Sequence, residues 1–178
     1  MKYIAMLRGI NVSGQKMIKM TDLKKLFEYL GFENVVTYIQ SGNVVFDYKK
    51  ISDDKLKSSI KKEIKNKYDF DVSVIIRTPT ELKSLLEKNP FTEFPDAENK
   101  VYFIFLEKEA EKERIDKLLA TDHEPEKFVI SGKEIFFLCP NGYGKAKLNN
   151  NVFERKLKVV ATTRNLKTVR ELVRLGGE

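Results

Sequence analysis

The stretch Tyr38-Ile39-Gln40-Ser41-Gly42-Asn43-Val44-Val45-Phe46 aligns without gaps with Phe128-Val129-Ile130-Ser131-Gly132-Lys133-Glu134-Ile135-Phe136. Both stretches are rich in β-branched and aromatic residues and both are interrupted by Ser-Gly, so each reads as a β-hairpin. Each also follows an apolar strand, opening at Tyr3 or at Tyr102, and then a helical pattern. A chain that repeats strand, helix and hairpin in that order has few topologies open to it.

The first copy is the clearer. Tyr3 to Leu7 is a short apolar run of strand length, and Leu23, Leu26, Phe27 and Leu30 then recur at helical spacing. Thr21 is placed to cap that helix and Gly31 to end it. After the hairpin, Ser52 or Asp53 opens a second helix with Leu56, Ile60 and Ile64 inward and a Lys-rich outer face. Val72 to Ile76 is the closing strand. The order β-α-β-β-α-β is that of a ferredoxin-like, split βαβ unit. Thr78-Pro79-Thr80-Glu81 carries the marks of a helix start, with Thr as cap, Pro at the first helical position and Glu three residues after the cap.

In the second copy, Val101 to Leu106 is a nearly all-apolar strand. A charged helix from about Glu109 to Leu119 follows, with Ile115, Leu118 and Leu119 inward, and then the hairpin. Asn149 or Asn150 caps a short helix through Leu157, and Thr162 or Thr163 caps the last helix, whose Leu166, Val169, Leu172 and Val173 face inward. The expectation is an α+β fold of two ferredoxin-like subdomains, the second exchanging its last strand for helices. Residues 1–78 form the first subdomain, 79–99 a helix and connector, and 100–178 the second.

Composition narrows the function classes. No apolar run approaches the ~20 residues of a membrane span. The N-terminus reads as a strand and not as a signal peptide. A single cysteine, Cys139, and a single histidine, His123, leave no disulfide within the chain and no Cys/His zinc site, and point to a reducing, cytoplasmic setting. The formal net charge of +7 is uneven: +5 over residues 1–76, −4 over 77–144 and +6 over 145–178. Basic ends favour an anionic partner.

Arg8 to Lys19 departs from the short connections found elsewhere. It carries two Gly, Arg8, Asn11, Ser13, Lys16 and Lys19, and a loop of that length inside a compact domain is usually functional or disordered. Three other polar stretches sit at element ends: Gln40 to Asn43, Asn141 to Lys147, and Ala161 to Thr168. Gly142 and Gly144 beside Lys145 and Lys147 suit an anion, although the Gly-Lys-Ser/Thr ending of a Walker A loop is missing. Thr162-Thr163-Arg164-Asn165 offers hydroxyls and a planar guanidinium. Ser41 has no histidine near it in sequence, and no carboxylate pair stands out, so no acid, base or nucleophile is assigned and no cofactor or metal is called for. Tyr3, Tyr102, Phe46 and Tyr48 occupy positions where RNA-recognition modules stack bases, but the Gly-aromatic pattern of such modules is absent and core roles are expected.

Five segments together resemble a known family. They are Leu7-Arg8-Gly9-Ile10-Asn11-Val12 with Gly14, the Tyr38–Phe46 hairpin, Asn89-Pro90-Phe91, Tyr143-Gly144-Lys145, and Ala161-Thr162-Thr163-Arg164-Asn165 with Thr168. They occur in the order found in the bacterial family catalogued as domain of unknown function 1697, and span nearly the whole chain. The family's frequent Trp after Arg-Asn is Leu166 here, and its Ser before the loop lysine is Ala146. The resemblance implies two ferredoxin-like subdomains in a cytoplasmic protein and no established activity.

The residues lead to one expectation and one alternative. The expectation is a polar site between the subdomains for a small anionic, phosphorylated or nucleotide-like ligand. Arg8, Lys16 and Arg164 would neutralise charge, and Asn11, Gln40, Ser41, Asn43, Tyr143, Lys145, Lys147, Thr162, Thr163 and Asn165 would line it. The alternative is a nucleic-acid or protein-binding module using the basic termini.

Overall fold

The computed structural model describes residues 1–177. The elements run β1 (Lys2–Leu7), α1 (Met20–Tyr29), β2 (Glu33–Tyr38), β3 (Asn43–Asp47), α2 (Asp53–Tyr68), β4 (Val74–Arg77), α3 (Pro79–Glu87), α4 (Ala97–Lys100), β5 (Val101–Leu106), α5 (Lys112–Leu119), β6 (Lys127–Ser131), β7 (Glu134–Leu138), α6 (Asn150–Leu157), β8 (Ala161–Asn165) and α7 (Leu166–Leu175). They form two compact units, one of Met1–Leu85 with the segment from Glu171 onward, the other of Leu86–Arg170.

The first unit has an antiparallel four-stranded sheet in the order β2-β3-β1-β4. The second has the same plan, β6-β7-β5-β8. Both are split βαβ units, so the duplicated α+β architecture read from the hairpin echo is the architecture observed. One part of that expectation is corrected. The second copy keeps its fourth strand: Ala161–Asn165 pairs antiparallel with β5, Thr163 opposite Ile104 and Arg164 opposite Phe103. Thr162 and Thr163 therefore lie in a strand and do not cap α7. That task falls to Asn165, whose Oδ1 accepts the Thr168 N–H at 2.8 Å. A run of Thr-Thr-Arg-Asn carries hydroxyls suited to a cap but also β-branched residues suited to a strand, and pairing with β5 decided between them.

In the first unit, α1 and α2 cover one face of the sheet. Leu23, Leu26, Phe27, Leu56, Ile60 and Ile64 pack there on Tyr3, Ala5, Leu7, Val44 and Phe46. In the second unit Leu118, Phe153 and Leu157 pack on Ile104, Leu106, Ile135 and Phe137. Leu119, expected inward, is instead 56% exposed at the end of α5. The opposite faces are buried as well, through Ile4, Met6, Val45 and Ile75 in one sheet and Phe103, Phe105, Phe136 and Leu138 in the other. Burial on both faces explains why β1 and β5 read as continuous apolar runs and not as alternating ones.

Tyr3 and Phe46 stack with ring centroids 5.7 Å apart beneath the helices, and Tyr48 packs against the same cluster. Tyr102 packs beneath the helices of its own unit. These aromatics are core residues, not a platform for bases. Among the described residues, no helix is long and apolar enough to cross a membrane.

Candidate functional site

The loop between β1 and α1 is built by its left-handed residues. Gly9, Asn11, Ser13, Gly14 and Lys16 all have positive φ. Ser13 and Gly14 turn a miniature hairpin in which the Gln15 N–H donates to the Val12 carbonyl at 2.9 Å and the Asn11 N–H to the Lys16 carbonyl at 3.2 Å. Asn11 then ties this hairpin to two other segments. Its Oδ1 accepts the Ile18 N–H at 2.8 Å, and its Nδ2 donates to the Ile18 and Gln40 carbonyls, both at 2.9 Å. With its amide engaged on both sides, Asn11 is a staple of the site wall.

Other residues expected to contact a ligand are also committed locally. The Lys16 ammonium donates to the Asp71 carbonyl at 2.6 Å. Asn43 is fully buried, and its Nδ2 donates to the Tyr38 carbonyl and to Ser41 Oγ, both at 3.0 Å. The Arg8 N–H donates to the Ser73 carbonyl at 2.9 Å, and Arg8 itself is half-buried. The side chain of Gln40 is exposed.

Beside Asn11 and Gln40 lies an open cavity of about 700 Å3 in the first unit, lined by Asn11, Met17, Ile18, Lys19, Met20, Thr21, Asp22, Gln40 and Tyr68. Its chemistry follows from how α1 begins. Thr21 was the expected cap, but the helix starts at Met20, two residues earlier than a Thr21 cap would place it. Lys19 holds the cap position, with extended backbone and no side-chain hydrogen bond to the helix. The Asp22 and Leu23 N–H groups both return to the Lys19 carbonyl at 3.0 and 2.9 Å. Helix amides ahead of these have no capping acceptor, and they carry the positive end of the helix dipole beside the Lys19 ammonium. Asp22, in the first turn, places a carboxylate on the same wall.

Tyr68, the last residue of α2, completes the cavity. Its hydroxyl is shut off from solvent and has no hydrogen-bond partner among the described residues. Burial raises its pKa, and the Asp22 charge raises it further, so the phenol stays protonated at neutral pH. Lys19, Asp22 and Tyr68 were not among the residues singled out as ligand contacts. Lys19 carries a visible signal as the last charge of the polar loop. Tyr68 carries none, because only the packing of α2 brings it within reach of residues more than forty positions earlier in the chain.

The second unit holds the remaining candidates. Tyr143 lies in a single 3-10 turn, Tyr143–Lys145, and its hydroxyl accepts the Asn150 N–H at 2.9 Å. Thr163 Oγ1 donates to Asn150 Oδ1 at 2.9 Å and lies 3.5 Å from the Tyr143 hydroxyl, so Tyr143, Asn150 and Thr163 form one polar group. Lys147 donates to the Glu124 carbonyl at 2.9 Å, and Lys145 is exposed. Arg164 lies on the opposite face of β8 from Thr163 and is buried. Its Nη1 donates to Thr162 Oγ1 and to the Thr163 carbonyl, both at 2.8 Å. Burial lowers its pKa to about 10, which leaves the guanidinium charged at neutral pH. Cys139 is buried too, and desolvation pushes its thiol up to about 12, so it is no nucleophile at neutral pH.

Comparison with known proteins adds a family to this geometry. No curated protein matches the chain. Among solved structures, the conserved bacterial protein SP0830 from Streptococcus pneumoniae superposes with a TM-score of 0.74 at 25% identity, over 98% of each chain. Residues 1–136 match a family described as protein of unknown function (DUF1697), a span that takes in the polar loop, the first hairpin and most of the second. The chain belongs to the DUF1697 family.

Proposed function

We propose that this protein binds a small anionic, phosphorylated ligand in the cavity of its first unit. The observation that carries the reading is the uncapped N-terminus of α1, which opens into that cavity beside Lys19. Unsatisfied amides, the helix dipole and an ammonium converge there, the combination that holds phosphate at helix starts. A volume of about 700 Å3 falls in the range of small-molecule sites. Asn11 fixes the walls, while Lys19 and Gln40 supply contacts from the rim. The assignment is of binding, with no residue given the role of acid, base or nucleophile.

The test is a thermal-shift screen against inorganic phosphate, sugar phosphates and nucleotides. A ligand at about 100 times its Kd adds roughly 2.7 kcal/mol to the folded state, a readily measured rise in Tm. Lys19→Asp fills the cap position with a carboxylate and should abolish that rise.

A second reading has its own observation. Lys55, Lys61, Lys62, Lys65 and Lys67 are exposed along α2, a basic face suited to a nucleic-acid backbone. Silence across the small-molecule screen, with nucleic-acid binding that weakens steeply as salt is raised, would favour that face over the cavity.

A further inference from the structure

Each sheet has one largely buried edge strand, β4 or β8, and one exposed edge strand, β2 or β6. An exposed edge presents unpaired N–H and C=O groups to any further strand unless something blunts it. β2 is blunted: its register slips between Glu33 and Val36, and Asn34 is left-handed. β6 is not. All five of its residues pair with β7 without a slip, and its one charge, Lys127, stands at the end. Ser131 and Glu134 close a two-residue turn, so Lys127, Val129 and Ser131 direct their backbone groups at β7, while Phe128 and Ile130 direct theirs outward. Apolar side chains accompany this edge. Val129 is 44% exposed, Phe128 and Ile130 are half-buried, and Leu119 is exposed at the end of α5. His123 holds that helix end beside the strand, with Nε2 2.9 Å from the Leu118 carbonyl and its ring centroid 5.6 Å from that of Phe128.

We propose that this edge is an interface for a second copy of the chain, β6 pairing antiparallel with the other β6 about a two-fold axis at Val129. The strand is self-complementary in that register. Phe128 of one copy meets Ile130 of the other, which satisfies the four outward backbone groups of each strand, and the two Val129 side chains meet at the axis. Charge agrees with the same register. Each Lys127 comes opposite Ser131 of the other copy, beside its Gly132 turn, and Glu109 Oε1 lies 3.6 Å from where a Cβ on Gly132 would stand. Lys127 and Glu109 are both exposed, with no ion-pair partner among the described residues. The axis therefore brings two Lys127–Glu109 pairs together and sets no like charges opposite each other along the strands.

Sedimentation velocity on the full chain tests this from about 10 μM to about 500 μM, a range suited to the small contact between two five-residue strands. The sedimentation coefficient should rise with concentration toward that of a dimer. Over the same range the Phe128 and Ile130 amides should gain protection from hydrogen exchange. Val129→Lys, at a position exposed in the single chain, should keep the Tm of the unaltered protein at high dilution and abolish the rise. Lys127→Glu should raise the dissociation constant about tenfold by setting carboxylates against Glu109, and Glu109→Lys in the same chain should restore it. A chain that stays monomeric across the range overturns the proposal. So does a dimer that neither Val129→Lys nor Lys127→Glu weakens, because its contact then lies elsewhere.

Discussion

Gly42 shows how little freedom single positions have around the polar loop. Its φ is +79°, and a Cβ built there would lie 2.6 Å from Cδ1 of Ile10 and 3.0 Å from Cβ of Leu7. Gly42→Ala should therefore destabilise the protein by about 2–4 kcal/mol, combining left-handed strain with overpacking, as read by urea denaturation. Asp47 makes a different prediction. The hydrogen bond from Asn34 at 2.8 Å lowers its pKa below the ordinary 3.8, partial burial works against this, and Lys2 at 3.3 Å adds to the lowering. A depressed acid pKa favours the folded state above the ordinary value, and that contribution is lost as pH falls through the folded-state pKa. Asp47→Asn should be less stable than the unaltered protein at pH 7, and the gap should close as pH falls through the depressed pKa of the folded state, below the ordinary 3.8. A gap independent of pH would show that the carboxylate charge is not what matters. The two Ser-Gly turns also differ residue by residue. In the second hairpin Ser131 pairs with Glu134 across Gly132-Lys133, whereas in the first Tyr38 pairs with Asn43 across four residues. Asn43 closes the longer turn through its bond to the Tyr38 carbonyl, which a lysine at that place has no planar amide to make.

At the scale of elements, helix starts separate stability from function. α3 begins with the capping box its sequence announced. The Glu81 N–H donates to Thr78 Oγ1 at 3.2 Å, and the Thr78 N–H donates to Glu81 Oε2 at 2.7 Å. Thr78→Ala should cost about 1 kcal/mol, measured by chemical denaturation. α6 is likewise capped by Asn149, which accepts the Val152 N–H at 3.1 Å. α1 lacks such a bond. Lys19→Asp should therefore stabilise the free protein by about 1 kcal/mol while abolishing the ligand-induced rise in Tm. On the proposed reading, the helix start left open where a cap would be favourable gives up stability for binding. If Lys19→Asp leaves both stability and ligand response unchanged, α1 is merely a poorly capped helix.

For the whole molecule, the duplicated plan predicts that corresponding core positions behave alike. Tyr3 lies opposite Phe46 in one sheet and Tyr102 opposite Phe137 in the other, so by strand register Phe46 corresponds to Phe137, one residue beyond the Phe136 of the gapless alignment. Phe46 and Phe137 are both fully buried. Phe46→Ala and Phe137→Ala should each cost about 3–5 kcal/mol in denaturant titrations, as large cavities in packed cores do. A mild effect at either position would mean that its sheet is not held by the helices above it. Most of this plan was legible in the amino-acid order. Apolar spacing marks α1 and α2, Thr78-Pro79 marks α3, and the repeated hairpin marks the duplication, because such signals act between near neighbours whose geometry any chain of that sequence shares. Strand β8 was not legible, since Thr162 and Thr163 suit a cap and a strand equally until β5 supplies hydrogen-bond partners. The polar loop could be recognised as unusual from its Gly, Asn and Lys content alone. Which of its residues keep a free polar side chain could not, because only the folded structure ties Asn11 to Ile18 and Gln40 and Lys16 to Asp71 while leaving Lys19 exposed at the start of α1. Local sequence determined where the polar groups are; long-range packing alone decided which of them were left without a partner.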